Sequence, residues 1–152
     1  MTTDGLRPLE QSLPIALLRA REAAMSRFRP ILARHGITDQ QWRVLRALDA
    51  APAASVGDLA ARACLLGPSV SRMMRTMEAQ GWIDRSPDRA DGRRSLITLA
   101  PGGRRLVEAI GPASEAAYRD IETSLGRAQL DGLLRALDDL TRTLEGRQGE
   151  AA

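Results

Sequence analysis

Apolar residues recur at helical spacing along most of this chain, and only one stretch alternates as a pair of strands does. Ser12 followed by Pro14 predicts a long first helix to about residue 34, with Leu17, Leu18, Met25, Phe28, Ile31 and Leu32 giving broad apolar coverage. Pro30 is expected to kink its last turn or end it early. Thr38 caps a second helix over about 39–49, in which Trp42, Leu45 and Leu48 are spaced for burial. Residues 50–54 break the pattern. Ser55 then caps a short third helix over 56–63, and Asp58 favours its positive end.

Residues 63–99 are the most informative segment. Gly67 is read as an N-cap and Pro68 as the first helical residue, where a missing N–H costs nothing. Val70, Met73, Met74 and Met77 then recur at i, i+3, i+4 and i+7, so one face is buried. The opposite face carries Ser69, Ser71, Arg72, Arg75 and Thr76. Gln80-Gly81 ends this helix, residues 82–86 read as a strand, and 95–99 supply Leu96, Ile97 and Leu99 as the apolar positions of a second strand. Between them Pro87 and Asp91-Gly92 mark a hairpin loop carrying Arg89, Arg93 and Arg94.

Beyond residue 99, Pro101-Gly102-Gly103 reads as a turn leading into a helix over about 104–125, loosened at Gly111-Pro112. A last helix over about 127–145 carries Leu130, Leu133, Leu134, Leu137, Leu140 and Leu144 as a seam, and the tail from Gly146 is expected to fray. A plain core helix is the alternative for that seam. Because residues 38–99 already make their own core, a seam in which the first and last helices of two subunits bury each other is favoured. The fold class is thus mainly α with a small β wing: a winged helix-turn-helix over 38–99, flanked by dimerisation helices over 12–34 and 101–146, in a single domain of residues 1–152.

An exposed face of small hydroxyls and arginines suits a helix entering a DNA major groove, and equally suits an ordinary amphipathic helix. The hairpin that follows favours DNA. An arginine on a loop tip beside such a helix can enter the minor groove, where the negative potential is greatest. Asp91 is placed to hold the Arg93 side chain extended.

Composition narrows the partners. The chain has 152 residues and a formal charge of +3, and all 22 of its basic residues are arginine. Residues 1–54 hold 8 Arg against 5 acids, 55–99 hold 7 against 5, and 100–152 hold 7 against 9, so the positive charge lies away from the C-terminal helices. Such a modest field implies moderate, salt-dependent affinity for nucleic acid. No apolar run reaches the ~20 residues a membrane span needs, and no signal pattern opens the chain, so a cytoplasmic protein is expected. The lone cysteine, Cys64, excludes an internal disulfide and a cysteine-based zinc cluster, and its apolar flanks suggest burial. One His, one Cys and no Lys leave few ways to assemble a nucleophile and base, and neither a phosphate-cradling loop nor metal-ligand spacing occurs. Neither a catalytic residue, a metal nor a cofactor is therefore assigned, and no enzyme is expected.

Thr38-x-x-Gln41-Trp42-x-Val44-Leu45, Leu59-Ala60, Pro68-Ser69-Val70-Ser71-Arg72, Met77-Glu78-x-x-Gly81-Trp82-Ile83 and Asp91-Gly92-Arg93-Arg94-Ser95-x-Ile97-x-Leu99 occur in that order. Together they resemble the MarR family of bacterial transcription regulators. Leu13-Pro14-Ile15, Phe28-Arg29-Pro30-Ile31-Leu32 and Asp39-Gln40-Gln41-Trp42-Arg43 are similar to its HpaR-type branch, which handles hydroxyphenylacetate-like acids. The resemblance implies a homodimer that covers a pseudo-palindromic operator and leaves it when a small aromatic carboxylate binds. By position it puts Ser69, Ser71, Arg72 and Arg75 on the recognition helix, with Arg93, its orienting Asp91, and Arg94 at the wing. The chain has no asparagine anywhere and no glutamine on the exposed early turns of the recognition helix, so readout should lean on arginine to guanine and on minor-groove shape.

For the ligand, Phe28, Trp42 and Tyr118 lie on helices that converge in the family fold, and Arg46 follows Trp42 by one turn as a carboxylate anchor. Ser12, Met25, Leu32, Asp39 and Ser114 are similar in position to pocket residues of the branch. The alternative is that the aromatics are core and that Arg46 pairs with Asp49 or Asp39. Two other functions stay open at this point: a redox-responsive repressor using Cys64, and a helical protein-interaction module that binds no DNA.

Overall fold

The computed structural model describes residues 5–149. In chain order its elements are a short 3-10 turn (Leu9–Gln11), α1 (Leu13–Arg34), α2 (Asp39–Asp49), β1 (Ala54–Ser55), α3 (Val56–Arg62), α4 (Ser69–Ala79), β2 (Ile83–Pro87), β3 (Ser95–Leu99), α5 (Pro101–Leu125) and α6 (Arg127–Gly149). The strands form one antiparallel sheet in the order β1-β3-β2. Ile83 pairs with Leu99 and Pro87 with Ser95 along the hairpin, and Ala54 pairs with Ile97 on the other edge of β3. No described helix is long and apolar enough to cross a membrane.

Local chemistry sets most of these boundaries. Thr38 starts α2 with a full capping box: its hydroxyl accepts from the Gln41 N–H at 3.2 Å, and the Gln41 side chain accepts from the Thr38 N–H at 3.0 Å. Helices α1, α3 and α4 all end in a Schellman motif. Its 6→1 bond is Ile37 N–H to Leu32 O at 3.2 Å, Leu65 N–H to Ala60 O at 2.8 Å and Trp82 N–H to Met77 O at 3.0 Å. The left-handed residue is Gly36 in the first and Gly81 in the third, where glycine carries no Cβ penalty; in the second it is Cys64, with φ +50°.

Several expectations need correction. Of the two effects expected of Pro30, the early end does not occur: α1 runs to Arg34, because proline removes one N–H at an exposed turn. Pro101-Gly102-Gly103 is the first turn of α5 rather than a preceding turn, with Pro101 at its first position, and α5 passes through Gly111-Pro112 without interruption. Helix α3 closes at Arg62 and β2 runs one residue later than expected, over Ile83–Pro87. Helix α6 extends past Gly146 to Gly149, and the rest of the expected fraying tail lies outside the described residues. Strand β1 was not expected, since two residues carry no periodic signal and exist as a strand only by pairing with β3.

The chain divides into two compact units, Met1–Ser114 and Glu115–Ala152. In the first, Val44, Leu45, Leu59, Met74, Met77, Ile83, Ile97 and Ile110 are fully buried and make a core common to α2, α3, α4, the sheet and α5. Its N-terminal segment leaves Leu9, Leu13, Leu17 and Leu18 exposed. In the second, the leucine seam of α6 is unequally covered: Leu130, Leu137 and Leu140 are half-buried, whereas Leu133, Leu134 and Leu144 are exposed.

Candidate functional site

The two helices of the helix-turn-helix are α3 and α4, and residues 63–68 connect them. Cys64 is exposed, against the expectation of burial; the apolar flank that does turn inward is Leu65, while Leu66 points to solvent. The physical reason is the left-handed conformation at residue 64, which reverses the chain and sends the next side chain, not its own, into the core. Gly67, at φ +94°, makes a second left-handed step, and Pro68 rather than Gly67 stands at the N-cap position. Pro68 nevertheless has helical dihedrals (φ −68°, ψ −15°), so the helical conformation begins at the residue expected.

Met74 and Met77 fix the roll of α4 by complete burial, with Val70 and Met73 half-buried beside them. Ser69, Ser71, Arg72 and Arg75 are consequently exposed together. Among the described residues neither Arg72 nor Arg75 has an ion-pair partner. Thr76 is less available, because its hydroxyl donates back to the Arg72 carbonyl at 3.1 Å.

The wing tip is ordered by its aspartates through the backbone. Asp88 N–H donates to Arg94 O at 2.9 Å, Arg94 N–H to Asp91 O at 3.0 Å, and the Asp88 carboxylate accepts from Ala90 N–H at 2.9 Å. Asp91 does not hold the Arg93 side chain as expected; its carboxylate accepts from the Arg93 backbone N–H at 3.1 Å. This is an Asx-turn, which satisfies the carboxylate locally and leaves the Arg93 guanidinium without an ion-pair partner among the described residues. Arg94 lies 3.8 Å from Asp58 on α3, and Arg85 of β2 lies 3.4 Å from Glu78 of α4, so these two arginines link the hairpin to the helices behind it.

Asp58 is held at the start of α3 by Ser55, whose hydroxyl donates to the carboxylate at 2.7 Å and accepts from the Asp58 N–H at 3.1 Å. That hydroxyl bond, helped by the Ser55 N–H, Arg94 and Arg62 and opposed by desolvation, lowers the Asp58 pKa below its ordinary 3.8. Because folding lowers it, the interaction contributes stability above the ordinary value and loses it as the pH falls through the depressed one. In an NMR titration Asp58 should have its midpoint below 3.8 in the wild-type chain, and Ser55→Ala should return it towards 3.8. A wild-type midpoint at or above 3.8 contradicts the assignment.

The candidate ligand residues are less concentrated. Met25, Phe28 and Leu32 share one face of α1 at i, i+3 and i+7, with Leu32 buried and the other two half-buried. Ser12 is half-buried at the N-cap of α1, and its side chain makes no capping bond. On α2, the Arg46 guanidinium sits 5.9 Å from the centre of the half-buried Trp42 ring and 3.5 Å from Asp49. Of the two carboxylates expected as alternative partners of Arg46, Asp49 is therefore the one it meets, and Asp39 is engaged by Arg21 of α1 at 2.8 Å. Ser114 is buried on α5, and Tyr118, half exposed, belongs to the second unit. A groove of about 320 Å³ opens elsewhere, between the N-terminus of α2, residues 64–66 and α4, and none of the candidate ligand residues lines it.

Comparison with known proteins gives these features a context. The MarR family profile matches residues 35–94, which span α2 to the wing. The chain is 40% identical to the homoprotocatechuate degradative operon repressor of Escherichia coli over 140 residues, 92% of this chain and 95% of that one. It superimposes with a TM-score of 0.78 on the crystal structure of NadR in complex with 4-hydroxyphenylacetate, at 38% identity over 89% of this chain and 96% of the other. A TM-score of 0.78 is also found with the transcriptional repressor CouR bound to a 23-mer DNA duplex, at 27% identity over 88% of this chain and 95% of the other.

Proposed function

The chain belongs to the MarR family of transcription regulators and is a DNA-binding regulator, and from that premise we propose that it acts as a homodimeric repressor released from its operator by a small aromatic carboxylate of the hydroxyphenylacetate class. Residues 38–99 are the DNA-binding lobe, and 12–34 with 101–146 supply the dimerisation helices. The exposed leucines of α1 and of α6 are the surfaces such a dimer would cover. The observation that carries the DNA reading is the set Arg72, Arg75 and Arg93, exposed on the helix and the adjoining wing with no internal ion pair among the described residues. Guanidinium groups left unpaired by their own fold are available to guanine edges, to phosphates and to a narrow minor groove. Ser69, Ser71, Asp91 and Arg94 complete the proposed interface, the serines towards phosphates and the wing residues as the support of Arg93.

The ligand assignment rests on Trp42 and Arg46, an apolar ring with a fixed cation one turn away, and on relatives of which one represses a homoprotocatechuate operon and another binds 4-hydroxyphenylacetate. Ser12, Met25, Phe28, Leu32 and Asp39 are proposed to line that site, with Ser114 contributed from α5. The carboxylate displaces Asp49 as the partner of Arg46, an exchange between two exposed anions that costs little. We assign the protein to the cytoplasm, where operator DNA is, and give it no catalytic role, in line with relatives that are regulators.

Calorimetry with 4-hydroxyphenylacetate, together with mobility shift on the intergenic DNA upstream of the gene, tests this. The acid should bind the wild-type chain and release the DNA, and Arg46→Ala should weaken binding of the acid roughly 10-fold or more, the loss of one charge-assisted contact. If Arg46→Ala binds the acid as wild type does, Arg46 is not the anchor. If the acid binds but leaves the DNA bound, the release mechanism is wrong.

A further inference from the structure

Arg43 is the one described residue with a buried polar side-chain atom that finds no partner, its Nε. Its other nitrogens are heavily used. From the middle of α2, Nη1 donates to the Ala63 carbonyl at 2.5 Å and to the Cys64 carbonyl at 3.1 Å, and Nη2 lies 3.9 Å from the Asp39 carboxylate one turn earlier. Ala63 and Cys64 are the C-cap of α3 and the left-handed residue after it, so their carbonyls point beyond the helix with no N–H of the helix to meet them. A cation with two donors is the group this helix end lacks.

The location matters more than the energy. Residue 64 holds a conformation that L side chains rarely adopt, and it sets the direction in which the chain leaves α3 and enters α4. Arg43 fixes two successive peptide planes at that point, and it lines the same groove as Ser69 and Arg72. The Asp39 carboxylate is shared, 2.8 Å from Arg21 and 3.9 Å from Arg43.

We propose that Arg43 is a positioning residue for DNA readout: without touching DNA it clamps the 63–64 peptides and so holds the recognition helix α4 at the angle that lets Arg72 meet a base edge. This rests on the reading of α4 as the DNA-reading helix. Helix angle governs specific contacts, which need register, far more than the diffuse attraction of arginines for phosphate. Arg43→Met keeps the aliphatic stem and removes the donors; Arg43→Lys restores a cation that can reach one carbonyl.

The test uses the full-length chain and a duplex selected by the wild-type protein from a random library, beside a duplex of scrambled sequence. Arg43→Met is expected to lose 10-fold or more in affinity for the selected duplex and less than 2-fold for the scrambled one, with an unchanged slope of log affinity against log salt. Arg43→Lys should recover part of the loss, and amide exchange at residues 64–72 should quicken in both variants. Should Arg43→Met fail to fold, Arg43→Lys alone is expected to show the selective loss and the faster exchange. Equal affinity of both variants and wild type for the selected duplex overturns the proposal, as does a salt slope reduced by about one, which makes Arg43 a phosphate contact. Arg72→Ala separates this from failure of the underlying reading. If Arg72→Ala loses affinity while Arg43→Met does not, only the positioning role falls; if neither does, α4 is not the reader and both fall.

Discussion

Arg72→Ala is expected to weaken operator binding by about 30- to 10⁴-fold, since a bidentate arginine contact to guanine is worth ~1–3 kcal/mol and a homodimer presents two of them. The fold makes Arg72 the sharpest choice. It sits in the first turns of α4, on the face opposite the buried Met74 and Met77, and nothing among the described residues engages its guanidinium. The chain contains no asparagine and α4 carries no glutamine, so no side chain on that face offers the usual bidentate reading of adenine, and little can substitute for a lost arginine. Arg93→Ala should cost less and should lower the salt dependence, because a wing arginine in a minor groove acts through charge and shape. Arg85→Ala should have a smaller effect still, because Arg85 is already committed to Glu78. Fluorescence anisotropy on the selected duplex at two salt concentrations measures all three. If Arg85→Ala matches or exceeds Arg72→Ala, the face has been misassigned.

How much of this site could be read from sequence follows from where each signal lies. Helix α2 was legible to the residue because Thr38 and Gln41 form a capping box, a signal contained in four positions. The exposed arginines of α4 were legible because methionine periodicity fixes the opposite face. The apolar neighbours of Cys64 suggest burial, whereas its conformation is set by the chain reversal that buries Leu65. Gly36 and Gly81 are each followed by an apolar residue after a helix, and Cys64-Leu65 occupies the same two positions. Asp91 lies in the loop between β2 and β3, where its turn signal puts it, but its target depends on backbone geometry that composition does not encode. Arg43 carried only the weak signal of a basic residue one turn after Asp39; its true partners are carbonyls some 20 residues away.

The glycine pair at the start of α5 was misread for a different reason, and it supplies the second large effect: Gly103→Ala should destabilise the chain by about 3 kcal/mol, the upper part of the usual range for an overpacked site. Glycines after a proline suggest a turn, yet both lie in the helix, and what they accommodate is close approach. A Cβ on Gly102 would overlap the Gly81 carbonyl oxygen, and one on Gly103 would overlap the Trp82 carbonyl oxygen and stand 2.8 Å from a Leu99 methyl. These are backbone atoms at the junction where α4 ends and β2 begins, and the Trp82 carbonyl also accepts from Ala100 N–H at 3.1 Å. No rotamer change relieves the clash, so α5 must move off the sheet or the wing must move off α4. At roughly 2–4 °C per kcal/mol for a chain of this size, the melting temperature should fall by about 6–12 °C. Gly111→Ala is the control within the same helix: nothing lies within 4 Å of its Cβ position, and alanine there should be neutral or stabilising by up to ~1 kcal/mol. Calorimetric melting of both variants decides the matter. If Gly103→Ala and Gly111→Ala melt alike, the start of α5 has room that the structure denies; if only Gly103→Ala collapses and takes operator binding with it, the helix-to-wing junction sets the geometry in which Arg72 and Arg93 are presented.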